Sequence, residues 1–120
     1  LSDGNMVLIY PEEEMWFNYR KIRPLKRGAY QYAAILNVPI ISCFTKIIDT
    51  DILDNEEFNK TIYELNVLGY IYPNKDISPR VNSINMLNED YTWKKKAYEE
   101  AYGKSLDYTF SKDDIAGYKW

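Results

Sequence analysis

The sequence has no histidine among its 120 residues, and that absence removes whole classes of chemistry. No Ser/His/Asp or Cys/His arrangement can be assembled, nor a zinc site of the usual histidine type, nor a histidine general base. Cysteine is nearly absent too. The single Cys43 cannot close a disulfide within the chain, and in its apolar stretch it is expected to be an inert buried thiol, which fits a reducing compartment. The glycines at 4, 28, 69, 103 and 117 make neither a Walker nor a dinucleotide loop, which counts against a nucleotide or sugar transferase. No apolar run approaches the roughly 20 residues that cross a bilayer, and no signal-peptide pattern is present. A formal charge of -3 argues against a general polyanion binder, so no nucleic-acid partner is expected and any phosphate site must be local.

What is present suffices for one core: 46% of residues are hydrophobic, and residues 1–120 are expected to form a single domain. The chain starts with Leu1, and Leu1 to Asn5 reads as the polar end of an element, so a fragment of a longer protein is expected. Met6 to Tyr10 is a continuous apolar run ended by Pro11, as in a strand covered on both faces. A helix follows over 27–36, with Ala29, Tyr32, Ala33 and Leu36 on one face and Asn37 suited to its end. Val38, Ile40, Ile41, Cys43 and Phe44 form a second buried strand, with Pro39 at its first rung.

The acidic stretch Asp49 to Lys60 reads as a solvated loop without the spacing of an EF-hand. Residues 61–72 are rich in β-branched and aromatic side chains and predict one or two strands. Ser78 and Pro79 mark a helix start and Gly103 its stop. Val81, Ile84, Leu87, Tyr91, Tyr98 and Tyr102 form its apolar stripe. The tail from Leu106 to Trp120 predicts a strand or an extended arm. The expected fold class is α/β: a partly parallel sheet with a βαβ unit (strands near 6–10 and 38–44, helix near 27–36), further strands near 61–72 and a long helix near 79–102.

The working loop is expected after the first strand, where open α/β sheets bind ligands. Glu12, Glu13 and Glu14 lead it, and Arg20, Lys21, Arg23, Lys26 and Arg27 close it. Such a cationic cluster can hold a phosphate, or it can simply balance the three glutamates. Met15, Trp16, Phe17, Tyr19, Ile22 and Leu25 are interleaved with the charges. They either rest on a membrane surface or fold back onto the core.

The blocks Val7-Leu8-Ile9-Tyr10-Pro11-Glu12, Lys26-Arg27-Gly28-Ala29 with Ala33, and Val38-Pro39-Ile40-Ile41 resemble, in order and spacing, the third and fourth motif blocks of the glycerolipid acyltransferases, typified by the 1-acyl-sn-glycerol-3-phosphate acyltransferases. The segment from Lys94 to Phe110 also resembles the tail of some bacterial members. Glu13-Glu14-Met15 stands where the family has Gly-Thr-Arg, so its phosphate-binding arginine has no direct counterpart. The resemblance carries Glu12 over directly as a substrate-binding residue; the missing arginine's task is assigned to Arg20 or Arg23 with Lys26 in support, and Trp16, Phe17 and Tyr19 are the membrane contacts expected from their own chemistry. The resemblance also implies a carboxyl-terminal part that lacks the family's His/Asp motif and holds no catalytic residue or metal.

On this reading the parent moves a fatty acyl group from acyl-CoA or acyl carrier protein, a co-substrate rather than a cofactor, to a lysophospholipid. Its expected place is cytoplasmic, peripheral to the inner membrane face, and homo-oligomerisation through exposed sheet edges is a further expectation. The alternative is a noncatalytic module that docks on a membrane or protein through the basic aromatic loop 15–27.

Overall fold

A computed structural model of the chain describes residues 4, 6–56 and 58–118. The first helix, α1, spans Gly28–Leu36 and ends at Asn37, whose left-handed backbone (φ 54°) lets its N–H reach carbonyls of the last turn. Strand β1 spans Ile40–Leu53 and strand β2 spans Asn59–Ile71. The long helix α2 spans Pro79–Tyr102, 24 residues. Its start is built as the sequence suggests: Ser78 Oγ accepts the Val81 N–H at 3.3 Å, Pro79 occupies the first helical turn, and Gly103 closes the helix in the left-handed conformation. Among the described residues no helix is long and apolar enough to cross a membrane.

The parallel sheet and the βαβ unit are not formed. The sheet has two strands, β1 and β2, paired antiparallel. Met6 to Tyr10 lie in no strand, with side chains 47–83% exposed. The expected strand at 38–44 instead continues through Ile47 and Ile48 to Leu53 and doubles back directly. A tight return, in which Asp54 and Asn55 donate backbone N–H groups to the Phe58 carbonyl, replaces most of the loop expected over 49–60. A strand that turns back within a few residues pairs antiparallel, whereas a parallel partner needs a long crossover.

Directly paired residues share a face, so Ile40/Ile71, Ser42/Gly69 and Phe44/Asn66 look one way and Ile41/Tyr70, Cys43/Val67 and Thr45/Leu65 the other. Helices α1 and α2 cover the first face through Tyr30, Ala33, Ala34, Ile71 and Met86, with a second cluster of Phe44, Tyr98 and Leu106. Burying side chains such as Ile71 and Met86 stabilises the fold by about 1.5–3 kcal/mol each. Ala33 and Ala34 are small enough to bring the two helices close. At Gly69 an added Cβ would lie 3.0 Å from the Trp93 ring, so this rung must stay bare.

The seam of α2 is the apolar stripe that spacing suggests only in part: Leu87, Tyr91, Tyr98 and Tyr102 pack into the core clusters. Val81 and Ile84 are 46% and 40% exposed, while Asn82, Ser83, Met86, Asp90, Lys94 and Tyr98 face inward. The polar members are tolerated because each has a partner: Asn82 bonds the backbone of Asn74, and Ser83 Oγ donates to the Arg80 carbonyl at 2.7 Å. Asp90 accepts from Tyr30 Oη at 2.5 Å and from Ser42 Oγ, and pairs with Lys94 at 3.1 Å. One carboxylate therefore ties α1, β1 and α2 together. Cys43, expected to be buried, is only half-buried because its face of the sheet has no covering layer.

The tail packs as an extended arm with one 3-10 turn at Lys112–Asp114. It bridges Tyr19 through Ile115 and Phe58 through Tyr118. Trp120 lies outside the described residues.

Candidate functional site

The loop from Pro11 to Arg27 is pinned at three places. Near its start Glu13, in the left-handed region at φ 57°, turns the chain and donates its N–H to the Tyr10 carbonyl at 3.0 Å. Lys26 N–H then donates to the Pro11 carbonyl at 2.9 Å, closing the loop on itself at the foot of α1. In the middle, Asn18 (φ 48°) is buried, accepts from Tyr63 Oη through its side chain and takes the Ala116 N–H on its carbonyl at 2.8 Å.

The cations of the loop are mostly occupied by internal partners. Arg20 is ion-paired with Asp49, donates to the Asp113 carbonyl at 3.0 Å and lies over the Tyr102 ring. Its Nε is buried without an acceptor among the described residues. Lys21 is buried, donating to Asp107 at 3.0 Å and to the Thr109 carbonyl at 2.7 Å, with Asp114 3.7 Å away. Arg23 donates to Glu14 at 2.8 Å and stacks on Trp16 at 3.9 Å from the ring centre. Lys26 and Arg27 are exposed at the start of α1.

These contacts shift the titrations. Burial opposes the charge of Lys21, but its hydrogen bond to Asp107 and the nearby carboxylates hold its pKa above the usual lysine value. Asp107 is correspondingly held below the usual aspartate value by Lys21 and by the Thr109 N–H. Burial, with Tyr91 beside it, pushes Tyr108 up to about 12. Burial also raises Tyr102, partly offset by the Ile47 N–H that its hydroxyl accepts at 2.9 Å and by Arg20.

Of the residues singled out from sequence, Glu12 is half-buried, Arg20 and Arg23 are held by carboxylates, and Lys26 opens to solvent. Trp16 is 41% and Phe17 70% exposed, whereas Tyr19 is buried and stacks on Phe110 with ring centres 5.9 Å apart. Met15 joins the exposed pair at 74%. Sequence reasoning missed the aromatic continuation of this surface: Phe17 meets Phe58 edge-on, and Phe58 in turn meets Tyr118. These rings come from three distant segments, so no local pattern announces them. A shallow depression of about 350 Å³ beside them is lined by Phe17, Asn18, Phe58, Lys60 and Tyr63 among others. Among the described residues no group of three or more His, Cys, Asp or Glu is placed to hold a metal.

No protein-family model, curated protein or solved structure matches the chain.

Proposed function

We propose that these residues are the acceptor-binding part of an acyltransferase that moves a fatty acyl group from acyl-CoA or acyl carrier protein to the free hydroxyl of a lysophospholipid such as 1-acyl-sn-glycerol-3-phosphate. One observation carries the reading. The Tyr-Pro-Glu and Lys-Arg-Gly-Ala segments, from two of the three blocks of the family resemblance, are joined through the bond from Lys26 N–H to the Pro11 carbonyl. The backbone just before Glu12 is therefore held at the foot of α1, where Lys26 and Arg27 are exposed. In the reaction a base takes the proton of the acceptor hydroxyl, the oxygen attacks the thioester carbonyl, and the thiolate leaves. With no histidine in the chain, that base is not a histidine of these residues.

Within this reading Lys26 is the first contact for the acceptor phosphate. Arg23 can join it only by exchanging Glu14 for the phosphate, and Arg20 only by leaving Asp49. Met15, Trp16 and Phe17 form the contact with the membrane, placing the protein peripherally on its cytoplasmic side.

The test is binding of lysophosphatidate by the purified chain. Lys26→Ala is expected to weaken it by up to about tenfold, the worth of one charge-assisted hydrogen bond of about 1.4 kcal/mol. Glu14→Gln frees Arg23 and is expected to tighten it. Undiminished binding after Arg20→Ala, Arg23→Ala and Lys26→Ala alike would remove the site. Acyl transfer by the purified chain alone would show that the base had been misplaced.

The internal pairing of Arg20 and Arg23 favours one competing reading, a noncatalytic module docking through Met15, Trp16 and Phe17. Equal binding to anionic vesicles with and without lysophosphatidate, lost in Trp16→Ala and Phe17→Ala, would select it.

A further inference from the structure

The sheet is unfinished on one side. Ile47 N–H points away from β2, since it reaches the Tyr102 hydroxyl, so Ile47 and Tyr63 form a pair without mutual hydrogen bonds. The same phase along the ladder turns the backbone N–H and C=O groups of Thr61, Tyr63, Leu65 and Val67 outward. Among the described residues none of these groups has a partner. Among the described residues the tail meets this edge only at the beginning of β2, through Asn59 and the preceding Phe58, and the extra residue near Leu68 interrupts the ladder at the other end.

The side chains on this free edge are large and apolar: Tyr63 is 58%, Leu65 67% and Val67 61% exposed. From Thr61 to Tyr72 the only charged residue is Glu64, and there is no proline. The usual devices that blunt an edge strand, lysines and prolines, are missing there. The accessible surface is 8187 Å², against roughly 6,800 Å² for a compact monomer of this mass. The excess, roughly 1,400 Å², is more than the roughly 800 Å² that a standard interface removes from each partner.

We propose that this edge pairs with the same edge of a second copy, antiparallel about a twofold axis at Leu65, joining two hairpins into one four-stranded sheet. Three constraints favour this register. Only alternate residues turn their backbone groups outward, so Leu65 must face an odd-numbered residue of the other copy. An axis at Glu64 would set two carboxylates directly opposite each other, which is destabilising. An axis at Tyr63 would bring together the two Asn18 loops that hold the Tyr63 hydroxyls. An axis at Leu65 instead sets Leu65 against Leu65, Tyr63 against Val67, and Glu64 against Asn66, whose amide can donate to it. A two-stranded sheet is marginal alone, and pairing the edges makes it four-stranded.

The experiment is sedimentation of the full chain over a concentration series, without detergent, beside Leu65→Lys and Leu65→Glu. The parent is expected to reach dimer with rising concentration. Each variant is expected to stay monomeric with an unchanged circular dichroism spectrum, because Leu65 is 67% exposed and belongs to neither core cluster. An equimolar mixture of the two variants is expected to recover a dimer, since the axis places lysine against glutamate. A monomeric parent at every soluble concentration would overturn the proposal. So would a dimer that persists in Leu65→Lys, which would place the contact on Met6 to Tyr10 or on the Trp16 surface.

Discussion

Two buried aspartates set the character of the interior at the scale of single residues. Asp90 receives Tyr30, Ser42 and Lys94, and Asp114 receives Tyr98 at 2.6 Å with Lys104 at 3.0 Å. Burial first, and the carboxylate second, raise the pKa of Tyr30 and of Tyr98 well above the ordinary tyrosine value. A folded value above the unfolded one, about 10, means that the folded state keeps protons which the unfolded state releases. The stability that Tyr30 and Tyr98 contribute is therefore whole below about pH 10 and falls as the pH rises beyond it. The measurement is a titration followed by tyrosinate absorbance. Tyr30 and Tyr98 are expected to ionise only together with unfolding. Their ionisation before the circular dichroism changes would contradict this. Tyr30→Phe is expected to cost about 1–3 kcal/mol in urea denaturation, since one partner of a buried carboxylate is removed.

Among the elements, the tail arm is the least obvious stabiliser. It contributes no regular strand, yet it caps the far end of the hairpin at Gly117, whose N–H donates to Asp49 at 2.9 Å and whose carbonyl takes the Asn59 N–H at 2.8 Å. Gly117 has φ 76°, and an added Cβ would lie 2.5 Å from the Asn59 carbonyl oxygen. Backbone cannot yield as a flexible side chain does, so Gly117→Ala is expected to detach the end of the arm and cost about 1–3 kcal/mol. Hydrogen exchange should then rise at Asn59 and Gly117 while α2 keeps its protection; equal protection in the variant would show that the arm is not held there. The Asp49 that Gly117 touches also holds Arg20, so the arm and the cationic loop share one carboxylate.

The whole molecule is elongated, 53 × 31 × 21 Å with a Cα radius of gyration of 16.4 Å, against roughly 13.5 Å for a compact domain of 120 residues. A hairpin that outruns the helix covering it produces that shape, and it leaves the β2 edge and one sheet face open. Small-angle scattering from the Leu65→Lys monomer is expected to give a radius of gyration well above the compact value. A compact result would show that the open face is closed within a single copy.

Sequence alone determined what short-range forces determine. Ser78, Pro79 and Gly103 bounded α2 and Asn37 ended α1, because a cap is made between residues within a turn of each other. The clustering of cations between Arg20 and Arg27 was legible for the same reason. Tertiary structure decided the sense of the sheet, since strand pairing depended on where β1 turned back and not on its apolar run. It also decided what the cations do. The partners of Arg20, Lys21 and Tyr30 lie 29, 86 and 60 residues away along the chain, and only the folded chain brings such charges within a hydrogen bond of each other.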